Sequence, residues 1–345
     1  MRELIERFAR EHTLSKDEYL KIISGYKKSD AEYLAELALN EKRKHYGDEI
    51  FIRGLIEISN VCKNDCYYCG IRKSNEKCER YRLSEDDIFE CCRHGYALGF
   101  RTFVLQGGED GYFTDERLEA LICKIKTAFP DCALTLSLGE RSIESYRRLR
   151  LAGADRYLLR HESVNREHYR MLHPSSLSFD NRMQCLADLR ALGYQVGCGF
   201  MVGSPYQTLD MLADELKFVE EFIPDMCGIG PFLPHSDTPF KDELAGSTDL
   251  TCLLLSMIRL IHPKILLPAT TALGTAENDG RERGILSGAN VVMPNLSPPS
   301  VRKKYMLYDN KLCTGAESAD ELEILKKKLA SVGGVVSACR GDVKK

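Results

Sequence analysis

The sequence predicts an α/β protein built as one (β/α)8 barrel of the TIM type, with a helical extension at its N-terminus. Three observations lead there. Eight short apolar runs rich in β-branched residues follow one another from Phe51 onward, amphipathic helical stretches separate them, and neither an internal repeat nor a linker divides the chain. An open doubly wound sheet and an incomplete six-stranded barrel share this alternation and remain alternatives. The 345 residues fit a barrel of about 250 residues with extensions.

Residues 1–48 read as helix only: Leu4, Ile5 and Phe8 mark one apolar stripe, Tyr33, Leu34, Leu37 and Leu39 another, and no strand is expected before Glu49. The strand runs are 51–59, 101–106, 133–138, 155–162, 194–202, 225–230, 264–270 and 290–294. Helical patterns occupy 84–98, 115–128, 142–152, 179–192, 208–222, 250–261 and 276–286. Ser84 suits an N-cap with Asp87 three residues on, while Gly99, Gly153 and Gly193 suit C-caps. Residues 49–345 are therefore assigned to the barrel, with a helical segment at its C-terminal end.

Charged residues are 29% and hydrophobic ones 43%, which excludes a disordered or collagen-like chain. With 48 basic against 51 acidic residues, the net charge of −3 sets up no positive field toward nucleic acid or an anionic membrane, and neither partner is expected. Residues 1–12 carry charge throughout and lack the apolar stretch of a secretory signal, so a cytoplasmic location is expected. The greasiest segment, 253–261, is interrupted by Ser256 and Arg259 and is far shorter than the roughly 20 apolar residues of a membrane span. Fourteen cysteines without a signal point to reduced thiols with metal or redox use.

Their spacing is informative. Cys62, Cys66 and Cys69 stand in Ser59-Asn-Val-Cys-Lys-Asn-Asp-Cys-Tyr-Tyr-Cys-Gly70, just past the first strand, where barrel active sites lie. Three thiolates so spaced can hold three irons of a [4Fe–4S] cube and leave the fourth open to a ligand. The alternative is a zinc site completed by Cys78 or a histidine. Cys91, Cys92, Cys123, Cys185, Cys198, Cys227, Cys252 and Cys339 lie mainly in apolar contexts and read as small buried side chains.

Alternation along the first strand puts Arg53, Leu55, Glu57 and Ser59 on one face, against Gly54, Ile56 and Ile58. In the fourth, Arg156, Leu158, Arg160 and Glu162 share a face. These charged faces belong inside the barrel. Buried arginines are costly without an anion. Arg53 and Arg156 therefore hold either an anionic substrate group at the barrel floor or an internal partner, as in an Arg53–Glu57 salt bridge. Gln106 faces the mouth, and the Thr270 and Thr271 hydroxyls end the seventh run, where they suit a substrate carboxylate.

The CX3CXφC pattern, with Tyr68 as φ, resembles the radical S-adenosylmethionine (SAM) superfamily, whose members use partial or complete barrels. Ile58-Ser-Asn-Val-Cys62, Cys69-Gly-Ile-Arg-Lys-Ser-Asn75, Arg160-His-Glu162, Met201-Val-Gly203 and Gly228-Ile-Gly-Pro-Phe-Leu-Pro-His235 resemble its family of HydE-type [FeFe]-hydrogenase maturases, over roughly residues 1–315. Biotin synthase and 3-methylornithine synthase are less close. The resemblance implies an enzyme in which a reduced cluster at Cys62, Cys66 and Cys69 cleaves SAM to a 5′-deoxyadenosyl radical. That radical would act on a cysteine-derived iron species bearing CO and cyanide, a precursor of the hydrogenase active site.

By the same resemblance, Tyr68, Gly107, Gly108, Glu109, Arg160, Glu162 and Arg182 would bind SAM. Arg53, Gln106, Arg156, Met226, Thr270, Thr271 and Tyr305 would bind substrate. His235 is given no ligand role. Other hydrogenase maturases and a reductant such as ferredoxin or flavodoxin would be partners, in an anaerobic setting. Some relatives carry an accessory cluster through CX7CX2C near the C-terminus. Here Cys313 is followed at those offsets by Glu321 and Ile324, so a second cluster is not expected. Outside this class, an iron–sulfur carrier or a zinc-stabilised protein would need no inward arginines or SAM pocket.

Overall fold

The structure, a computed structural model, describes residues 1–344. Three helices come first, α1 (Arg2–Glu11), α2 (Lys16–Gly25) and α3 (Lys28–Tyr46), and the first strand follows in two pieces, β1 (Glu49–Ile52) and β2 (Gly54–Ser59). The chain then alternates through α4 (Glu85–Ala97), β3 (Thr102–Gly107), α5 (Asp115–Ala128), β4 (Ala133–Ser137), α6 (Ile143–Ala152) and β5 (Arg156–Leu158). Next come α7 (Arg166–Leu172), α8 (Phe179–Ala191), β6 (Gln195–Cys198), β7 (Met201–Val202), α9 (Leu209–Phe222), β8 (Met226–Cys227), β9 (Gly230–Pro231) and α10 (Thr248–Ile261). The rest is α11 (Thr271–Ala276), α12 (Gly280–Leu286), β10 (Val291–Val292), α13 (Pro299–Arg302), α14 (Leu322–Ala330) and β11 (Val335–Ser337).

The ring closes. Parallel pairing runs β2–β3–β4–β5–β6–β8, and β1 pairs with β10. Bridges Met226–Leu266, Pro268–Val291 and Leu55–Asn295 insert the seventh run as a stave and join the last strand to the first. This is the eight-membered barrel, not the open sheet or the six-stranded partial barrel. Hydroxyl caps start its helices: Ser84 makes a capping box with Asp87, and Thr114, Ser142, Ser178, Thr208 and Ser247 each accept the amide three residues on. Gly99, Gly153 and Gly193 follow helices at φ of 96°, 118° and 75°, as a left-handed C-terminal residue requires.

Four features depart from the expectation. The pattern over 276–286 narrows to α12, which starts at Gly280, and the short α11 precedes it; Gly280 packs so closely on Leu273 that a Cβ would lie 2.1 Å from its carbonyl oxygen. Helix α7 and strand β11 have no counterpart in the periodicity. Arg259, seen as a polar interruption, is wholly buried in α10, where carbonyls of Gly288, Pro263 and Ile265 and the Asn290 side chain accept from its guanidinium. Cys123 and Cys339 are exposed, whereas Cys91, Cys92, Cys185, Cys198, Cys227 and Cys252 are buried.

The N-terminal helices pack on the outside of the barrel, α2 on α9 and α3 on α10, and leave the mouth free. The opposite end is closed by the chain's own C-terminus. Strand β11 pairs with β1, and residues beyond it cross beneath the staves: Thr102 Oγ1 donates to the Arg340 carbonyl at 2.7 Å, and Arg156 Nη2 to the same carbonyl at 2.8 Å. No described helix is long and apolar enough to cross a membrane.

Candidate active site at the barrel mouth

The loop after β2 is fixed by its own backbone. Arg80 donates to the carbonyls of Asn60, Ile71 and Arg72 at 2.6–2.8 Å, and Asn60 Nδ2 donates to those of Glu79 and Lys304 at 2.9 and 2.7 Å. Asp65 binds Arg72 Nε at 2.8 Å and the Ser74 amide at 3.0 Å. So held, the loop brings Cys62, Cys66 and Cys69 to the wall of one cavity of about 360 Å³. Cys78 is not on that wall and accepts from Asn60 Nδ2 at 3.5 Å.

Burial pushes all three thiols up, Cys69 to about 12, and the neighbouring sulfurs reinforce the rise at Cys66 and Cys69. Such thiols become thiolates when a metal cation takes the place of the proton. Among the described residues no three His, Cys, Asp or Glu side chains group around one metal ion. A cube asks for something else, since each thiolate binds a different iron.

Next to the thiols lies a belt of charge. Glu109, at the end of Gly107-Gly108-Glu109, accepts from the Glu140 amide at 3.0 Å, and Lys63 Nζ and Arg182 Nη2 stand 3.1 and 3.9 Å from its oxygens. Gly108 must be small, because a Cβ would lie 2.3 Å from the Val61 carbonyl and 2.8 Å from Cys62 Cβ. Arg182 donates to the Arg160 carbonyl at 2.7 Å and to Glu140 Oε1 at 2.5 Å. Arg160 Nη2 faces Glu162 Oε2 at 3.3 Å.

Glu162 has φ of 64°, an uncommon backbone state for a side chain of its size. It is held by a wholly buried pair behind it. His161 Nδ1 accepts from the Gly199 amide at 3.3 Å, so the ring proton sits on Nε2 and is given to Glu215 at 2.6 Å. On the other side, burial holds His173 neutral, down to about 3, and its Nε2 accepts from the Tyr68 hydroxyl at 3.2 Å.

Deeper in the cavity are Gln106, whose Nε2 donates to the Tyr305 hydroxyl at 3.5 Å, and Thr270 and Thr271. Thr271 donates to Glu317 at 2.8 Å, and Thr270 Oγ1 is buried without a hydrogen bond. Sequence reasoning gave no wall role to Lys311, Tyr308, Met201 and Met293, and the Arg53–Glu57 salt bridge it left open as one alternative is not formed. Glu57 pairs with Lys311 at 2.6 Å, across 254 residues, and not with Arg53.

Arg53, Arg156 and Met226 do not line this cavity, which corrects their expected place at the substrate. They surround a separate void of about 10 Å³ at the closed end. Alternation had the face right, but both arginines lie one layer below the cavity floor. Arg156 meets an anion of the chain itself, Asp342, and Arg53 donates to Met226 Sδ at 2.9 Å and to the Gly341 carbonyl at 3.5 Å.

The remaining residues fit a polar ligand beside a thiolate-held cluster. Arg160 Nε and Thr270 Oγ1 are buried without hydrogen-bond partners, and the buried Arg160 Nη2 and Glu162 Oε2 have no hydrogen bond beside their mutual ion pair at 3.3 Å, on the wall that carries the three thiols. Unmet polar atoms grouped on one cavity are what a bound ligand satisfies.

Comparison with known proteins agrees with this reading. Residues 56–219 match the model of the radical SAM superfamily. The chain is 41% identical over 332 residues to the [FeFe] hydrogenase maturase subunit HydE of Thermotoga maritima, covering 96% of this chain and 94% of that protein. It is 28% identical to the 3-methylornithine synthase of Methanosarcina acetivorans, covering 91% of each. In structure it resembles methylornithine synthase (PylB), with a TM-score of 0.85, 26% identity and 97% of each chain covered.

Proposed function

The chain belongs to the radical SAM superfamily and, within it, to the family of the hydrogenase maturase HydE, and from that premise we propose that Cys62, Cys66 and Cys69 hold its [4Fe–4S] cluster. The family implies that cluster and SAM, and the enzyme is a radical SAM maturase of hydrogenase. When bound, the two supply one-electron reductive cleavage of SAM and so a 5′-deoxyadenosyl radical. The observation that carries the assignment is the grouping of three thiols, the Arg160–Glu162 ion pair and the unpartnered Arg160 Nε and Thr270 Oγ1 on one cavity.

The protein's part is positioning and exclusion. Gly107 and Gly108 let the backbone close on the cluster loop, and Glu109 would take the methionyl ammonium of SAM. Arg160 and Arg182 would take its carboxylate, Glu162 the ammonium or ribose, and Tyr68 would pack beside the cluster. Arg182 is already fixed by Glu140 and the Arg160 carbonyl, so its guanidinium loses little freedom on binding. Gln106, Thr270, Thr271 and Tyr305 would face the substrate, a cysteine-derived iron species with CO and cyanide ligands. The tail packed under the barrel covers that end, which favours a radical protected from stray hydrogen donors.

The reading carries one cluster, since Glu321 and Ile324 stand where an accessory set would need cysteines. A reductant such as ferredoxin or flavodoxin and the other maturases complete it, in the cytoplasm. The test is maturation in vitro: anaerobically reconstituted protein, SAM, reductant and the other maturases should activate apo-hydrogenase. Omission of this chain, or Cys66→Ala, should abolish activation.

A further inference from the structure

The cavity wall carries six charged side chains in two balanced groups. Glu109, Arg182, Arg160 and Glu162 belong to the side next to the thiols and are used by the proposed SAM site. Glu57 and Lys311 remain. Both are buried, at 0% and 8% exposure, and Lys311 Nζ gives bonds to Glu57 Oε1 at 2.6 Å and to the Tyr305 carbonyl at 3.1 Å. Glu57 Oε2 accepts from Asn295 Nδ2 at 2.8 Å. The Glu57 amide donates to Ser297 Oγ at 2.8 Å, so the 295–297 turn fixes the carboxylate from behind.

Neither partner is saturated. An ammonium has three donors and two are taken; a carboxylate has about four lone-pair sites and two are taken. A buried ion pair is weak evidence for stability, because desolvation of both charges consumes the attraction between them. A cation and a carboxylate side by side on a cavity wall, each with spare capacity, complement a zwitterion: an α-carboxylate toward the lysine and an α-ammonium toward the glutamate. The same wall includes Leu55, two residues nearer the closed end of β2 than Glu57, Leu158 and Met293, which pack on the floor cluster of Phe51, Met226 and Leu266, and Met201. Apolar and thioether groups there suit a short, soft side chain.

We propose that Glu57 and Lys311 are the receptor for the amino-acid head group of the substrate. The inference rests on the function proposed above and assigns the end of the substrate that carries both charges. The apolar and thioether part of the wall then receives the sulfur-bearing end.

The probe is S-methyl-L-cysteine, whose thioether does not compete as a thiolate for iron. Its binding is read by anaerobic calorimetry on the unreduced holoenzyme saturated with SAM, so that the methionyl site is filled. The wild type should bind it, and should bind methylthiopropionate (no amine) and methylthioethylamine (no carboxylate) at least tenfold more weakly. Lys311→Met and Glu57→Gln should each weaken S-methyl-L-cysteine at least tenfold, with Lys311→Arg recovering most of the loss. The double variant Glu57→Gln/Lys311→Met leaves no lone buried charge and guards against misfolding, with iron content and the thermal midpoint as controls.

No binding to the wild type, equal binding of the three probes, or wild-type affinity in the double variant overturns the proposal. SAM cleavage by the wild type without added substrate scores the underlying function separately. Its failure would remove the radical chemistry and leave the calorimetric result to be judged by itself.

Discussion

Arg156 Nη2 donates to Asp342 Oδ1 at 2.6 Å, joining a barrel stave to the chain's last residues across 186 positions. Gln195 Nε2 donates to the same oxygen at 2.9 Å, and Arg340 Nε to the other at 2.9 Å. The Arg156 charge is thereby met from within, while Arg53 has the Met226 sulfur and the Gly341 carbonyl as partners. The substrate sites are left to the layer above.

That pair makes stability depend on acid. Burial works to raise the Asp342 carboxyl, but Arg340, Gln195 and Arg156 hold it well below the usual carboxylate range. A depressed folded value means that the stabilisation is complete above the unfolded value of about 3.9 and is lost as pH falls through the folded one. Asp342→Asn should cost about 1–2 kcal/mol at neutral pH, a figure reduced for the partial exposure of the carboxylate. Denaturant titrations should show the gap between wild type and variant closing only in strong acid. A gap that persists there would contradict the assignment.

Gly139 sets the position of Glu109. Its φ is 75°, and a Cβ would lie 2.0 Å from Glu109 Cγ. Gly139→Ala should add about 1–2 kcal/mol of backbone strain and push the carboxylate away. The expected result is a raised KM for SAM with iron content unchanged. An unaltered KM would show that Glu109 does not contact SAM.

The His161–Glu215 pair should matter through Glu162. Glu215→Ala strands the His161 Nε2–H and the Val164 amide, which donates to Glu215 Oε1 at 2.8 Å, and should cost about 2–4 kcal/mol in stability. Because the left-handed turn at Glu162 relies on the same support, SAM affinity should fall more than tenfold, with Glu215→Gln recovering part of it. Loss of stability alone, with SAM affinity intact, would make the pair structural only.

Much of this was legible from local pattern. Seven of the eight staves and the Ser84 capping box follow from periodicity and side-chain chemistry within a few residues, and the run 264–270 forms bridges without a strand. The cluster loop is likewise contiguous. What escaped is what depends on distance in the chain. Alternation tells which face Arg53 and Arg156 occupy but not their height along the barrel, and Asp342, the partner of Arg156, lies near the end of the sequence. Lys311 sits in a stretch without periodicity, and only closure of the barrel brings it to Glu57. Glu215 reads as an ordinary helix residue until the fold places it behind His161.

The most direct test of the central claim is the assay of 5′-deoxyadenosine after anaerobic reconstitution with iron and sulfide, followed by dithionite and SAM. The wild type and Cys78→Ala should both produce it and both carry a [4Fe–4S] cluster. Cys62→Ala, Cys66→Ala and Cys69→Ala should produce none. Zinc bound in place of a cluster, or product formation that survives Cys66→Ala and fails in Cys78→Ala, would contradict the assignment of the three cavity thiols.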